Sequence, residues 1–322
     1  MNIIRMSGGL GNQMFQYALY MKLRSMGKEV KFDDINEYRH DNARPIMLSV
    51  FGIDIPRASW DEINKFIDGS MDFVKRIRRG LFGRKIIEYV EEGFYDPKVL
   101  SFDDMYLRGS FQSDKYFAGI EEEIRNAYRF PNLETMHLPD KLYQVTSECM
   151  EQIENTMSVS IHMRRSDSRE DEELYEGICT EKYYEGAVRF IQERYPEAVF
   201  YIFSNEPKWV KSWVDNLIQS QIKEDMEPWE IQALQQRFVM VEANTEYTGY
   251  LDMQLMTKCK HNIISNSTFS WWGAWLNENQ DKIVIAPDKW KNNVESDDIY
   301  TAGMVLINEK GRVNRTVKKD EK

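Results

Sequence analysis

Between residues 158 and 286, five short strand-like runs alternate with stretches of helical periodicity, and no other feature restricts the fold as much. The runs are Ser158–Met163, 199–203, Phe238–Val241, 262–265 and 283–286. In the first, Val159, Ile161 and Met163 alternate with Ser160, His162 and Arg164, the period of a half-buried strand with two unlike faces. The run at 199–203 is almost continuously apolar, as in a strand covered on both sides. Thr180 caps a helix in which Tyr184, Ala187, Val188 and Ile191 share a face before Pro196 ends it. Ser204-Asn205-Glu206-Pro207 opens a second, with Val210, Trp213, Val214 and Leu217 at helical spacing. Leu251, Leu255 and Cys259 mark a third, and Trp271-Trp272-Gly273-Ala274-Trp275-Leu276 a fourth, entered through a loop at 266–270. Strands joined by helices make parallel crossovers, so a doubly wound parallel sheet is expected. Ligands bind such sheets outside the carboxyl ends of the strands. Three polar segments, 164–167, 204–206 and 265–270, fall at those ends.

The chain opens with a βαβ pattern. Residues 2–6 read as a strand, and Ser7-Gly8-Gly9-Leu10-Gly11-Asn12-Gln13 as a glycine-rich turn. A helix follows with Met14, Tyr17, Ala18 and Met21 on one face and Gly27 as its stop, and Val30-Lys31-Phe32 gives a second strand. Met14 stands where a dinucleotide fingerprint needs its third glycine, and no Gly-Lys-Ser/Thr follows to make a phosphate loop. Gly8, Gly9 and Gly11 still allow a ligand close to the backbone at a helix N-terminus, where Asn12 and Gln13 add side-chain amides. The pattern at 36–98 is irregular; 106–112 reads as a strand, 119–128 as a helix that stops before Pro131, and 138–155 as one more helical stretch. Two domains are expected, 1–155 with an irregular insertion at 36–98, and 156–322, in line with roughly 150 residues per domain.

Composition narrows the function. A formal charge of -11 counts against nucleic-acid binding, which rests on neutralising phosphates with Lys and Arg. No window approaches the roughly 18 apolar residues of a membrane span, and the N-terminus lacks a leader pattern, so a cytoplasmic location is expected. Cys149, Cys179 and Cys259 form no Cys-x-x-Cys pair, and His40, His137, His162 and His261 no zinc-ligand pair, so no metal site is expected. The basic segment at 75–85 interleaves Lys75, Arg76, Arg78, Arg79, Arg84 and Lys85 with apolar residues, as in a solvated helix face or a peripheral contact with an anionic inner membrane. Nothing in the sequence speaks to oligomeric state.

Arg164 and Arg165 at a strand end suit a phosphate, which guanidinium groups hold in bidentate fashion. Ser267, Thr268 and Ser270, at the start of a helix, offer hydroxyls and backbone N–H groups to the same kind of ligand. Asn205 or Glu206 could read a base or ribose edge. No two aspartates are separated by one residue, so the metal-holding Asp-x-Asp of many sugar-nucleotide transferases is absent. Charge on a leaving diphosphate would then fall to arginine and the helix N-terminus, each well-placed donor contributing about 3 kcal/mol.

Three motifs, in order, carry a resemblance: Gly8-Gly9-Leu10-Gly11-Asn12-Gln13-Met14-Phe15-Gln16-Tyr17-Ala18, His162-Met163-Arg164-Arg165-Ser166-Asp167, and Ser265-Asn266-Ser267-Thr268-Phe269-Ser270-Trp271-Trp272-Gly273-Ala274-Trp275-Leu276. Together they resemble the α-1,2-fucosyltransferase family, glycosyltransferase family eleven, of bacterial type. Gly109-Ser110-Phe111-Gln112-Ser113-Asp114-Lys115-Tyr116-Phe117 and Phe203-Ser204-Asn205-Glu206-Pro207 match less strictly, and the whole runs from residue 8 to about 290. The resemblance implies an α/β, GT-B-type fold of two Rossmann-like domains facing a cleft, the first on the acceptor side and the second binding GDP-fucose. It implies GDP-β-L-fucose as co-substrate, no cofactor, and inverting, metal-independent transfer to O2 of a terminal galactose in an oligosaccharide or lipid-linked glycan. Arg164 corresponds to the arginine that contacts the donor's β-phosphate, and His162, Arg165, Ser204, Asn205, Glu206, Ser267, Thr268, Phe269 and Ser270 are further donor-site candidates. Inversion requires a base for the acceptor hydroxyl. Asp167 is either that base or a salt-bridge partner whose pKa the two arginines depress, and Asn12 is a candidate for orienting hydroxyl or phosphate. Asn205 departs from the pattern by replacing an acid, and 298–304 lacks the expected proline and tryptophan. Competing readings are another GDP-sugar or linkage on the same scaffold, a glycoside hydrolase with no assignable carboxylate pair, and a non-catalytic glycan-binding protein using Trp271, Trp272 and Trp275.

Overall fold

The computed structural model describes residues 1–37, 44–68, 86–164, 173–242, 244–245 and 247–318. The chain divides into two compact units, Met1–Arg129 with Asp297–Ile299, and Phe130–Ser296 with Tyr300–Lys322. Each is an α/β unit on a largely parallel sheet, the organisation expected of a GT-B-type chain.

The first unit runs β1 (Asn2–Arg5), α1 (Leu10–Ser25), β2 (Val30–Asp33), α2 (Trp60–Ile67), β3 (Glu88–Val90), β4 (Tyr106–Arg108) and α3 (Glu121–Ala127). Its strands stand in the order β2-β1-β4-β3, every pair parallel. Helix α1 begins earlier than the apolar spacing indicates. Gly9 is its N-cap, and the amides of Asn12 and Gln13 already donate to the Gly9 carbonyl, so Gly11, Asn12 and Gln13 belong to the first helical turn rather than to the loop. Helix α2 lies in the stretch that reads as irregular, and a Ser59/Glu62 capping box starts it. β4 is shorter than 106–112 because the Glu91 carboxylate takes the backbone N–H groups of Ser110 and Phe111, which a continuing ladder would use.

The second unit begins at Phe130 and takes in α4 (Asp140–Glu154), so the boundary falls at 129/130 rather than after residue 155. Ile153 explains the difference, because it packs with Tyr201, Phe203, Leu255, Met256 and Cys259 of this unit. There follow β5 (Ser158–Met163), α5 (Glu181–Gln192), β6 (Val199–Ser204), α6 (Pro207–Gln221), α7 (Pro228–Gln235) and β7 (Phe238–Val241). Then come α8 (Tyr250–Lys258), β8 (His261–Ile263), α9 (Thr268–Leu276), β9 (Val284–Pro287), β10 (Val305–Ile307) and β11 (Val313–Thr316). The sheet order is β11-β10-β9-β8-β5-β6-β7, and only the β10–β11 pair is antiparallel.

β5 is buried along its whole length, not half-buried. Its polar side chains find partners on the β8 side: Asn262 Nδ2 donates to Ser160 Oγ at 2.8 Å, the Lys260 amide to Ser158 Oγ at 3.2 Å, and His162 Nδ1 lies 2.9 Å from Ser265 Oγ. Buried polar groups are tolerated when hydrogen-bonded, so the alternation marks two packed faces. Trp271 and Trp272 on α9 are fully buried and Trp275 nearly so, which makes them packing groups. Among the described residues no helix is long and apolar enough to cross a membrane. The basic segment at 75–85 lies outside the described residues.

Candidate active site

In the second unit the chain passes from β5 to β6 and β7 on one side, then returns to β8 on the other, so the strand order reverses between β5 and β8. Such a switch point is where an open α/β sheet forms its ligand crevice. Partly exposed Arg164 follows β5 there, and Ser265-Asn266-Ser267 follows β8 and leads into α9.

His162 ties the two strand ends together through Ser265. Two adjacent tyrosines on α5 fasten the same ends from beneath: Tyr184 OH donates to the His162 carbonyl at 3.2 Å and Tyr183 OH to the Ile264 carbonyl at 2.6 Å. Burial, and then the charge of Arg164, push the His162 imidazole down to about 3. It is therefore neutral at working pH and serves as a brace, not a proton carrier. The Phe269 ring packs on it with centroids 5.6 Å apart.

The loop after β8 is equally fixed. Asn266 Nδ2 donates to the Trp290 carbonyl at 3.2 Å, and Cys179 Sγ–H to Asn266 Oδ1 at 3.3 Å. Ser267 is the N-cap of α9, yet its side chain makes no cap hydrogen bond and no acid stands in the first turn. The Ser270 hydroxyl turns inward to the Ser267 carbonyl at 3.3 Å. What this end offers is thus backbone N–H groups and the positive pole of a helix, with Arg164 following the neighbouring strand. Both favour an anion. On the other side of β5, Met163 pairs with Ser204, whose hydroxyl accepts the Glu206 amide at 3.0 Å, leaving Asn205 and Glu206 exposed at the same sheet edge.

In the first unit the glycine turn sorts its amides. Gln13 is fully buried: Nε2 donates to the carbonyls of Gly8 and Pro45, both at 2.9 Å, and Oε1 accepts the Met47 amide. It is a staple between loops, which corrects its reading as a ligand group. Gln16 does the same between the ends of β1 and β4, donating to Ser7 Oγ and the Gly109 carbonyl, each at 3.0 Å. Gly8 has φ +74°, and a Cβ there would lie 2.5 Å from Asn12 Nδ2, so only glycine lets Asn12 fold back over the turn. Gly9 leaves room for the Arg44 guanidinium, and Gly11 is buried.

The structure therefore gathers His162, Arg164, Ser267, Thr268 and Phe269 at one switch point, with Ser204, Asn205 and Glu206 one strand away. Arg165 and Asp167 lie outside the described residues. Sequence reasoning missed Ser265 as the partner of His162, and Tyr183 as a brace. Only strand order, which no periodicity reveals, puts these groups together.

The model of Glycosyl transferase family 11 matches residues 98–308, which include the whole switch point of the second unit. The chain belongs to this family. Among family relatives, an Escherichia coli alpha-1,2-colitosyltransferase is 30% identical over 304 residues, 89% of this chain and 91% of the relative. The O-antigen biosynthesis glycosyltransferase WbnK of E. coli is 31% identical over 310 residues, 88% of this chain and 93% of that protein. Among solved structures, a mutant of Arabidopsis thaliana FUT1 in complex with GDP superposes with a TM-score of 0.47 at 8% identity, covering 98% of this chain and 78% of that one. For this family 11 glycosyltransferase, the anion-favouring switch point is the place in the second unit where a donor's phosphates would be sought.

Proposed function

We propose that this glycosyltransferase is an inverting α-1,2-fucosyltransferase that moves L-fucose from GDP-β-L-fucose to the 2-hydroxyl of a terminal galactose in a glycan. The observation that carries the reading is Arg164 at the β5 end of a switch point whose β8 side leads into the N-terminus of α9, where the Ser267 side chain makes no cap hydrogen bond and no acid stands in the first turn. In the reaction the acceptor oxygen forms a bond to fucose C1 while the bond from C1 to the diphosphate oxygen breaks on the opposite face. The negative charge that develops on the leaving GDP falls to Arg164 and the α9 amides. The acceptor's proton goes to a base, for which Asp167 is the candidate, or else Asp167 is the salt-bridge partner of the arginines. GDP-fucose is a co-substrate, and no cofactor takes part.

A second reading is supported by the colitosyl relative: the same site with GDP-colitose, whose sugar is fucose without its 3-hydroxyl. Both readings are tested by one assay. GDP-fucose, GDP-colitose and GDP-mannose are each offered with lactose, lacto-N-biose, N-acetyllactosamine and Galβ1-3GalNAc, and the product linkage is determined by NMR. Transfer of fucose to O2 of galactose is expected. Transfer from GDP-mannose with none from GDP-fucose would overturn the donor assignment, and transfer from GDP-colitose alone would select the second reading. Because the chain has no Asp-x-Asp, EDTA is expected to leave the rate largely intact; a loss restored by Mn²⁺ contradicts that.

A further inference from the structure

An arginine serves a phosphate well only when its own backbone is held, and the ladder of β5 stops short of Arg164. The last pairs are Met163 with Ser204 on the β6 side and Ile161 with Ile263 on the β8 side, so Arg164 is the first residue beyond them. The hydroxyl of Tyr184 takes over at that point. It donates to the His162 carbonyl at 3.2 Å and receives the backbone N–H of Arg164, so one phenol oxygen grips the chain on both sides of Met163.

The same oxygen hydrogen-bonds to Cys179 Sγ. Burial pushes this thiol up to about 12, so it stays protonated at working pH and donates to Asn266 Oδ1 at 3.3 Å. Its sulfur also takes the Asn266 backbone N–H. A polar chain thus runs from the Arg164 amide through Tyr184 and Cys179 to Asn266, the residue before the N-cap of α9. It ties the end of β5 to the loop after β8.

The helix that carries Tyr184 is locked in place. Tyr184 is fully buried, its ring edge-on to Tyr183 at 4.9 Å and to Trp213 at 5.9 Å. Successive helical residues diverge by about 100°, which lets Tyr183 reach the Ile264 carbonyl while Tyr184 reaches β5. At the start of α5 the Thr180 hydroxyl donates to the Glu309 carbonyl, and a Cβ on Gly186 would lie 2.3 Å from the Gly311 carbonyl oxygen. That close approach needs glycine, and it sets where the Tyr184 hydroxyl stands.

We propose that Tyr184 is a positioning residue for transfer: it acts through Arg164, holding that backbone so that the guanidinium and the N-terminus of α9 face one diphosphate, with Cys179 as the link between the two strand ends. The inference rests on the reading of this switch point as the donor's phosphate site. A charged donor stabilises a leaving group most when it is already in place and need not reorganise during the reaction.

GDP is titrated by calorimetry, and fucose transfer to the galactosides above is measured, for the wild-type protein, Tyr184→Phe, Arg164→Ala and the double variant. Tyr184→Phe keeps the ring and removes the hydroxyl; it is expected to weaken GDP and to lower kcat, each about tenfold, as for one lost hydrogen bond. In the Arg164→Ala background the same replacement is expected to change GDP affinity by less than about twofold, because the group through which it acts is gone. A merely structural role would weaken GDP alike in both backgrounds. Cys179→Ala is expected to weaken GDP about threefold, and Cys179→Ser, which keeps a donor, to recover most of that. Wild-type GDP affinity in Tyr184→Phe, or an equal loss in both backgrounds, would overturn the positioning role, and a Ser variant no better than Ala would remove Cys179 from it. Should denaturant unfolding show that Tyr184→Phe does not fold, the Cys179 pair decides: GDP weakened by Ala and recovered by Ser supports the chain, and any other result overturns it. Wild-type protein that binds GDP but transfers no fucose removes the functional reading and leaves the positioning role to stand on the titrations; wild-type protein that binds no GDP removes both.

Discussion

Arg164→Ala is expected to lower the rate of glycosyl transfer by about 10²–10³-fold and to weaken GDP, while the protein stays folded. The magnitude is that of removing one preorganised donor from a developing negative charge. Arg164 follows the last residue of β5 and is partly exposed, so its truncation leaves no buried void. The switch point keeps its shape because its braces are other groups: His162 on Ser265, Tyr184 on the His162 carbonyl and Tyr183 on the Ile264 carbonyl. Nor does the variant alter the charge of His162, since burial is the larger cause of its lowered pKa and remains when Arg164 is gone. Arg164→Lys should recover only part of the rate, because a lysine keeps the charge and loses the bidentate fork. Steady-state kinetics and GDP titration check both variants, and wild-type values for Arg164→Ala would remove this residue from the site.

Trp271→Ala is expected to cost about 3–5 kcal/mol of stability, a large share of the roughly 5–15 kcal/mol that holds a domain folded. Trp271 is fully buried; it meets Trp272 edge-on at 4.9 Å and stacks on Trp275 at 6.2 Å. These rings form the body of α9, whose N-terminus is the proposed anion-binding edge, so the cavity left behind is expected to loosen that edge as well as the core. Denaturant unfolding should show a lowered midpoint, and saturating GDP should restore part of it by binding only the folded state. A variant as stable as the wild type that no longer binds glycan would instead support the tryptophans as a sugar platform.

Some of this was legible in the sequence, and physics explains the remainder. The position of Arg164 was legible, for it ends an apolar strand, and the structure sets that strand end at the β5/β8 switch point. The parallel sheet of the second unit was legible because five strand-like runs alternate there with four helical stretches. Its order was not, since crossovers leave no local mark, and without the order Ser265 cannot be paired with His162. β5 looked half-buried because Ser158, Ser160 and His162 are polar, and their hydrogen-bond partners sit on or beside a strand about 100 residues away. Asn12, Gln13 and Gln16 are alike as residues, and packing alone turned two of them into staples. The start of helix α2 is written locally, for Ser59-Trp60-Asp61-Glu62 carries a capping-box spacing. β10 and β11 were hidden by their brevity, three and four residues.

The central claim is that the donor's diphosphate binds at the β5/β8 switch point. A crystal structure of the protein with GDP tests it most directly. Phosphate oxygens are expected within hydrogen-bond reach of the Arg164 guanidinium and of backbone N–H groups at 268–270; a diphosphate lodged instead on the glycine turn at 8–13, with Arg164 untouched, would contradict it.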